Sequence, residues 1–152
     1  MTVDSAKVMR LTRRFNASPE RVFDAWLDPQ LTRQWLFASP ADERYDAEID
    51  PRVGGTYTIT ARRDGTDYTA SGEYLEIDRP HRLVMTFAMP QFSPNCDRLT
   101  VEIAPDGTGC ILTLTQEGID IANELRAIPA GEVGGTEQGW RDMFDALAAS
   151  LS

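Results

Sequence analysis

The sequence is short of the residues on which most nucleophilic and metal chemistry depends. Its 152 residues include one histidine and two cysteines, and the cysteines form no Cys-x-x-Cys motif. A lone histidine cannot build a zinc site. No apolar run approaches the roughly 18 residues that a membrane span needs, and the first seven residues lack the apolar stretch of a signal peptide. We therefore predict a cytoplasmic protein without a metal, a cofactor or a membrane span.

Positive charge is also scarce. The chain has 15 Lys and Arg against 24 Asp and Glu, a formal net charge of -9, and Lys7 is its single lysine. Nucleic acid would meet a field of its own sign, so we predict no nucleic-acid partner. Hydrophobic residues make up 41% and charged residues 26%, inside the range of globular domains. This length suits one core, so we predict one domain over residues 1–152, with residues 1–7 as a flexible tail.

Neither the histidine nor the cysteines occupy positions typical of a nucleophilic site. His81 lies in a Pro-His-Arg turn before a strand, where a surface role is expected. A hairpin turning at residues 105–108 and placing Ile103 opposite Cys110 separates Cys110 from Cys96 by about seven strand residues, or about 23 Å. A disulfide needs alpha carbons within roughly 7 Å. We predict two free thiols and assign no catalytic residue.

The first third of the sequence predicts a strand followed by two short helices. Apolar and polar residues alternate over residues 8–15, which is the period of a half-buried strand. Ser18 can then cap a helix that has Pro19 at its first position. Asp28 and Pro29 end this helix and cap a second, short one.

Residues 45–116 predict a run of about six antiparallel strands joined by turns. In the second hairpin of this run, the apolar parity pairs Tyr57 with Gly72 and Tyr74 with Gly55, so that each large ring lies over a glycine. After Tyr74 the apolar parity changes, which indicates a β-bulge.

A long amphipathic helix ends the chain. Residues 119–135, with Pro129 and three glycines, are predicted to be an irregular connection, and Thr136 is the predicted cap of the helix. A sheet with one apolar face needs this helix as its cover. We therefore predict an α+β fold in which a curved antiparallel sheet of about six to seven strands wraps around the C-terminal helix and leaves a cavity. The apolar stripe of the helix consists of Trp140, Met143, Phe144, Leu147 and Leu151.

An ordered set of motifs resembles a known family. The motifs are Arg13-Arg14-Phe15-Asn16-Ala17-Ser18-Pro19, Val22-Phe23 with Ala25-Trp26, Asp28-Pro29 with Trp35, Asp50-Pro51-Arg52-Val53-Gly54-Gly55-Thr56-Tyr57, Gly72-Glu73-Tyr74, Pro80-His81-Arg82-Leu83 and Gly139-Trp140. From about residue 9 to 151 the chain thus resembles the activator-of-heat-shock-protein-90-ATPase homologue group of the START-like, helix-grip superfamily (SRPBCC). The resemblance implies a helix-grip fold with an internal cavity. The superfamily includes lipid and hormone carriers, polyketide cyclases, hydrolase-like members and a co-chaperone.

Two positions depart from the family pattern. Many members have a histidine in a Thr-His-x-Gly setting of the last strand, where this chain has Gln116. Many have another histidine three residues before the Gly-Trp of the final helix, where this chain has Thr136. Chemistry that depends on either histidine is therefore not expected here.

We predict a ligand site on the inner face of the sheet and the last helix. Arg13 and Gln116 fall on the apolar parity of their strands, so their side chains are expected to face the interior. Each would then need a partner, which is either another protein group or a bound ligand. Segments 36–44, 89–95 and 119–135 are the predicted rim. The predicted ligand-binding residues are Arg13, Trp35, Tyr57, Tyr74, Phe87, Leu114, Gln116, Trp140 and Phe144.

Three functions are compatible with these features. The first is noncovalent binding of a small hydrophobic or aromatic molecule in the internal cavity. The second is a protein-binding module similar to a heat-shock-protein-90 co-chaperone. The third is a polyketide cyclase-like or hydrolase-like enzyme, in which Arg13, Gln116 and a tyrosine polarise a carbonyl group. The lack of a titrating residue ranks the enzyme last. A homodimer is compatible with the sequence, although no apolar stripe demands one.

Overall fold

Seven antiparallel strands and four helices form the protein in the computed structural model, which describes residues 7–152. The predicted tail of residues 1–7 lies outside the described residues except for Lys7. The strands are β1 (Met9–Phe15), β2 (Arg44–Ile49), β3 (Thr56–Arg63), β4 (Thr66–Asp78), β5 (Arg82–Phe87), β6 (Asp97–Asp106) and β7 (Gly109–Glu117). The helices are α1 (Pro19–Asp24), α2 (Pro29–Thr32), α3 (Ile119–Ala127) and α4 (Gly135–Leu151).

The strands form a single sheet in the order β1-β7-β6-β5-β4-β3-β2. Strands β2 to β7 follow one another as antiparallel neighbours, and β1 pairs with β7, so the first and last strands lie side by side. The sheet curves around α4, whose residues Trp140, Phe144 and Leu147 are buried in the core. This confirms the predicted α+β helix-grip fold. Within residues 7–152, no helix is long and apolar enough to cross a membrane.

Local capping sets the starts of the first two helices as predicted. The Ser18 hydroxyl accepts a hydrogen bond from the backbone N–H of Arg21 at 3.2 Å, and Pro19 occupies the first position of α1. The Asp28 carboxylate accepts one from the N–H of Gln30 at 2.9 Å at the start of α2. Each side chain satisfies one of the donors that a helix start leaves unpaired.

The hairpin of β3 and β4 has the predicted register. Tyr57 pairs with Gly72, and the N–H of Tyr74 donates to the carbonyl of Gly55 at 2.9 Å. The register of β4 against β5 shifts between Tyr74 and Glu76, which is the predicted bulge. Pairing each large tyrosine ring with a glycine therefore predicted the register of this hairpin correctly.

The hairpin of β6 and β7 differs from the prediction by two residues. Ile103 pairs with Leu112, and Cys110 lies opposite Pro105. The reason is the turn: the strands extend to Asp106 and from Gly109, which leaves a two-residue loop at 107–108. Gly107 adopts φ of 61° there, as such tight hairpins require. Cys96 is exposed and Cys110 is buried, and both are free thiols as predicted.

The prediction for residues 119–135 was wrong, because α3 occupies Ile119–Ala127. Ile121 lies buried and Leu125, four residues later, packs against the core, so one short apolar face holds the helix in place. The predicted cap of α4 was also wrong. Gly134 takes the capping position, and the Thr136 hydroxyl instead donates to the Glu124 carboxylate at 2.7 Å, which links α3 to α4.

Gly72 has no room for a side chain. A Cβ atom there would overlap the Thr86 carbonyl oxygen and come within 2.8 Å of the Tyr57 ring. We expect Gly72→Ala to lower the free energy of unfolding by roughly 1–3 kcal/mol, because overpacking displaces the neighbouring strand. Gly139→Ala is the control: its Cβ would meet no atom within 4 Å, and alanine should stabilise α4 by about 0.5–1 kcal/mol. Urea unfolding checks both, and equal effects would contradict the packing argument.

Candidate functional site

The predicted aromatic residues pack against one another and fill one end of the interior. Trp35, Tyr57, Tyr74, Trp140 and Phe144 are each at most 2% exposed, and Leu114 is fully buried. Ring centroids are 6.1 Å apart for Trp35 and Phe144, 5.8 Å for Trp140 and Phe144, and 5.5 Å for Tyr57 and Tyr74. These rings form a core rather than the lining of an empty space.

A cavity of about 640 Å³ lies beside this core, where α4 and the sheet diverge. We call it the main cavity. Its walls come from the segment after α2, from the inner faces of β3 and β4, from the end of β5 and from α4. It is lined by Phe37, Ala38, Ser39, Pro40, Ile59, Arg63, Tyr68, Ala70, Met89, Gly139, Asp142, Met143, Asp145 and Ala146.

None of the nine predicted site residues lines the main cavity. Phe87 and Gln116 line a second space of about 260 Å³, the small cavity, which lies between the segment 87–97 and helix α3. The sequence did carry signals for the main cavity. Ile59 and Ala70 lie on the inner parity of their strands, and Phe37 lies in one of the predicted rim segments.

Arg13 points to the side of the sheet that α4 covers, as its strand parity predicts, but its side chain ends in an ion pair near the surface and not in the interior. Its guanidinium Nη1 lies 2.7 Å from Oδ1 of Asp145 on α4, and about a third of the side chain is exposed. β1 is an edge strand of the sheet, so the long side chain of Arg13 can reach the surface there. The contact favours the ion-pair alternative over a ligand contact.

Gln116 does face the interior and is 3% exposed. Its Nε2 donates a hydrogen bond to Oδ2 of Asp97 at 2.8 Å, and its Oε1 accepts one from the Trp140 indole Nε1 at 3.0 Å. These two hydrogen bonds, which we call the Gln116 relay, connect β6, β7 and α4 through the side chain of Gln116. The partners of Gln116 are protein groups, which supports a structural role for the amide.

Asp97 is the first residue of β6, and its side chain lies beside the N-terminus of α3. The residue is 6% exposed. Burial raises the pKa of its carboxyl group, and the hydrogen bond from Gln116 partly opposes this rise. Oδ1 faces the first amides of α3, where the helix dipole favours an anion, but it has no well-formed hydrogen bond within residues 7–152. Gly118, with φ of 150°, makes room for the carboxylate, because a Cβ there would overlap Oδ1.

The charged residues at the mouth of the main cavity are engaged with other protein groups. Arg63 Nε lies 2.5 Å from Oδ1 of Asp42, and its guanidinium carbon lies 5.7 Å from the centroid of the Tyr68 ring. Asp142 accepts a hydrogen bond from Gln138 at 2.9 Å. Because these charges are partnered and the deeper walls are apolar, the cavity suits a molecule with little charge of its own.

The structure offers little to hold a metal ion or to start nucleophilic chemistry. Within residues 7–152, no three His, Cys, Asp or Glu side chains lie close enough together to share a metal ion. His81 is exposed in its turn, where its backbone N–H donates to the Asp78 carbonyl at 2.7 Å. Of the residues suggested for carbonyl polarisation, Arg13 and Gln116 lie outside the main cavity.

The relay through Gln116 should contribute to stability. Gln116→Leu would leave the Asp97 carboxylate and the Trp140 indole N–H without this partner, so we expect the free energy of unfolding to fall by roughly 2–5 kcal/mol. Thr113→Val, on the same strand with a single exposed hydroxyl contact to Thr12 at 3.4 Å, should change it by less than about 0.5 kcal/mol. Urea unfolding measures both. A loss below about 1 kcal/mol in Gln116→Leu would show that the relay does not hold α4.

Three tyrosines should make the protein sensitive to alkali. Burial raises the pKa of Tyr45 to about 12 and raises those of Tyr57 and Tyr74 well above the usual 10.0. The unfolded chain therefore loses these protons first, so stability is full below pH 10 and falls as the pH rises above it. Urea unfolding from pH 7 to 11, with tyrosinate absorbance as a second signal, measures this.

Tyr57→Phe serves as the matched variant for the alkaline titration. It removes the hydrogen bond from the Tyr57 hydroxyl to the Thr86 carbonyl at 2.7 Å, so it should cost about 1 kcal/mol at pH 7. Its stability should then fall less steeply than the wild type above pH 10. A wild-type stability that stays constant up to pH 11 would contradict the assignment.

Solved structures of bacterial proteins have the same fold. Protein CV1439 from Chromobacterium violaceum is 31% identical over 96% of this chain and 97% of its own, with a TM-score of 0.77. The Mll3558 protein from Rhizobium loti is 28% identical over 95% and 96%, with a TM-score of 0.71. A protein from Rhodobacter sphaeroides, at 20% identity and a TM-score of 0.76 over 96% and 93%, shares the fold alone.

The sequence comparisons agree with these structures. No protein with a curated description matches the sequence. The family described as Activator of Hsp90 ATPase homolog 1-like protein matches residues 16–152, which is most of the chain and includes β2 to β7 and α4. The resemblance seen in the sequence motifs is thereby confirmed. The chain belongs to the Activator of Hsp90 ATPase homolog 1-like family, with a START-like, helix-grip fold.

Proposed function

We propose that the protein binds a small apolar or aromatic molecule in the main cavity without forming a covalent bond to it. The observation that carries this proposal is a cavity of about 640 Å³ between the sheet and α4, with apolar deeper walls. Ligand pockets in proteins typically have volumes of roughly 300–1,000 Å³ and few polar groups. The family fold, which commonly binds hydrophobic ligands, supports the same conclusion.

The side chains around the cavity favour an uncharged ligand. Ile59, Ala70 and Ala146 offer aliphatic surface, and Phe37 and Met143 offer aromatic and thioether surface. Burying an apolar ligand there gains about 25 cal/mol per Å² of surface removed from water. A charged ligand would compete with the existing pairs of Arg63 with Asp42 and Arg13 with Asp145. The affinity of a ligand for the main cavity should therefore depend on its shape and on the apolar surface area that it buries.

Native mass spectrometry of gently purified protein is the first test. We expect a discrete mass above that of the polypeptide, lost on denaturing extraction. A protein that shows only its own mass is then titrated with Nile red, an uncharged apolar dye whose fluorescence rises in an apolar environment. The absence of both a retained mass and saturable binding of the dye would contradict the proposal.

A pair of variants on α4 locates the binding site. Ala146 lines the main cavity, whereas Ala149 is exposed on the same helix. Because leucine at position 146 would fill part of the cavity, we expect Ala146→Leu to weaken binding of the dye or retained ligand roughly tenfold or more, about 1.4 kcal/mol per factor of ten. Ala149→Leu should leave affinity unchanged. Equal affinities for both variants would place the ligand elsewhere.

The other two functions remain predictions. The family description motivates an assay of heat-shock-protein-90 ATPase activity with the protein added at high micromolar concentration. A partner surface would be built from exposed large apolar side chains. Among residues 7–152 these come from six different segments: Val53, Leu75, Phe92, Ile111, Ile119 and Val133. An enzyme would need a carbonyl-polarising set other than Arg13 with Gln116. The cytoplasmic location and the homodimer also stay predictions.

A further inference from the structure

The main and small cavities are neighbours separated by two stacked rings. Phe37 lines the main cavity and Phe87 lines the small one. Their ring centroids are 5.2 Å apart and their planes differ by 12°, so the rings lie face to face. Met89 lines both cavities, which places the two spaces on either side of one thin wall.

Phe37 is held in an unusual backbone conformation at this wall. Its φ is 53°, in the left-handed region that bulky residues rarely adopt. The backbone N–H lies 3.1 Å from the Met143 sulfur, and the carbonyl accepts a hydrogen bond from Arg63 at 3.3 Å. The ring also contacts the Trp140 ring edge-on at 5.7 Å.

Such a conformation persists only where the surroundings impose it, and it is concentrated at functional positions. If this position required only a positive φ, glycine or asparagine would adopt it at a lower conformational energy. The phenylalanine here adds a ring at the boundary of the two cavities. Phe87 differs from Phe37 because it belongs to β5, where pairing with Asp97 of β6 fixes its backbone.

We propose that Phe37 is a specificity-determining residue, whose ring sets the length of the ligand by closing the main cavity toward the small one. This inference rests on the proposed function. A short apolar ligand fills the main cavity and stops against the ring. A longer one would have to displace Phe37 from its stack on Phe87. Removal of the Phe37 ring extends the main cavity as far as the ring of Phe87.

Linear alcohols of increasing length test this directly. We would measure dissociation constants of the n-alkanols from hexanol to dodecanol by displacement of Nile red from wild type and from Phe37→Ala. Each methylene group that enters an apolar site should tighten binding about fourfold. In the wild type this gain should stop at a certain chain length. In Phe37→Ala it should continue for several more carbons.

Two further variants control for a general loss of core packing in Phe37→Ala. Phe37→Leu keeps an apolar side chain without the stacked ring and should give an intermediate chain-length limit. Phe15→Ala removes a buried ring that packs on Phe144 and lines neither cavity, so it should leave the limit unchanged. A limit that moves equally in Phe15→Ala and Phe37→Ala would overturn the proposal, as general loosening would then explain it.

A crystal structure of Phe37→Ala gives a readout that needs no ligand. We expect the main cavity to extend as far as the ring of Phe87, and collapse of Phe87 or Trp140 into the vacated space would overturn the inference. An unmoved chain-length limit with intact hexanol binding would also overturn it while leaving the proposed function standing. Failure of every alkanol to bind any variant would remove the proposed function and this inference with it.

Discussion

The hydrogen bond between the Trp140 indole and Gln116 fixes where α4 lies against the sheet, and the main cavity depends on that position. Apolar packing of Trp140 and Phe144 supplies much of the attraction, but it is non-directional and tolerates sliding of a helix. A buried hydrogen bond tolerates little, because misplacing it leaves polar atoms unpaired. The 3.0 Å contact therefore anchors α4 to the sheet at Trp140. Gly139, which lines the cavity, is the residue next to Trp140 in the chain.

Filling the interior unevenly is what produces a cavity in this fold. Near β1 and α1 the rings of Trp26, Trp35 and Phe144 occupy the space between the helix and the sheet. At the main cavity the buried residues of β3 and β4 are Ile59 and Ala70, and α4 presents the small residues Gly139 and Ala146. One end is thus closely packed and carries stability, and the other end is open and available for a ligand. The stacked rings of Phe37 and Phe87 mark the boundary with the small cavity.

Two ion pairs lie around the mouth of the main cavity, Arg13 with Asp145 and Arg63 with Asp42. The more exposed pair, Arg13 with Asp145, contributes little to stability, but both pairs remove unpaired charge from the approach to an apolar space. Asp97 is the exception, since it is a buried carboxylate placed at the start of α3 and held by Gln116.

The sequence determined the features that depend on near neighbours. Ser18 and Asp28 cap their helices as predicted, Tyr57 pairs with Gly72, and the stripe of α4 is buried, because capping, pairing across a short hairpin and helical periodicity each involve a few adjacent residues. Strand parity predicted the face of the sheet on which Arg13 lies but not its ion pair, since its partner Asp145 lies at the other end of the chain. Only the tertiary structure decided which residues line the main cavity. That cavity is a gap between residues 37–40, β3, β4 and α4. A gap between segments that are distant in the chain leaves no sequence pattern within any one of these segments.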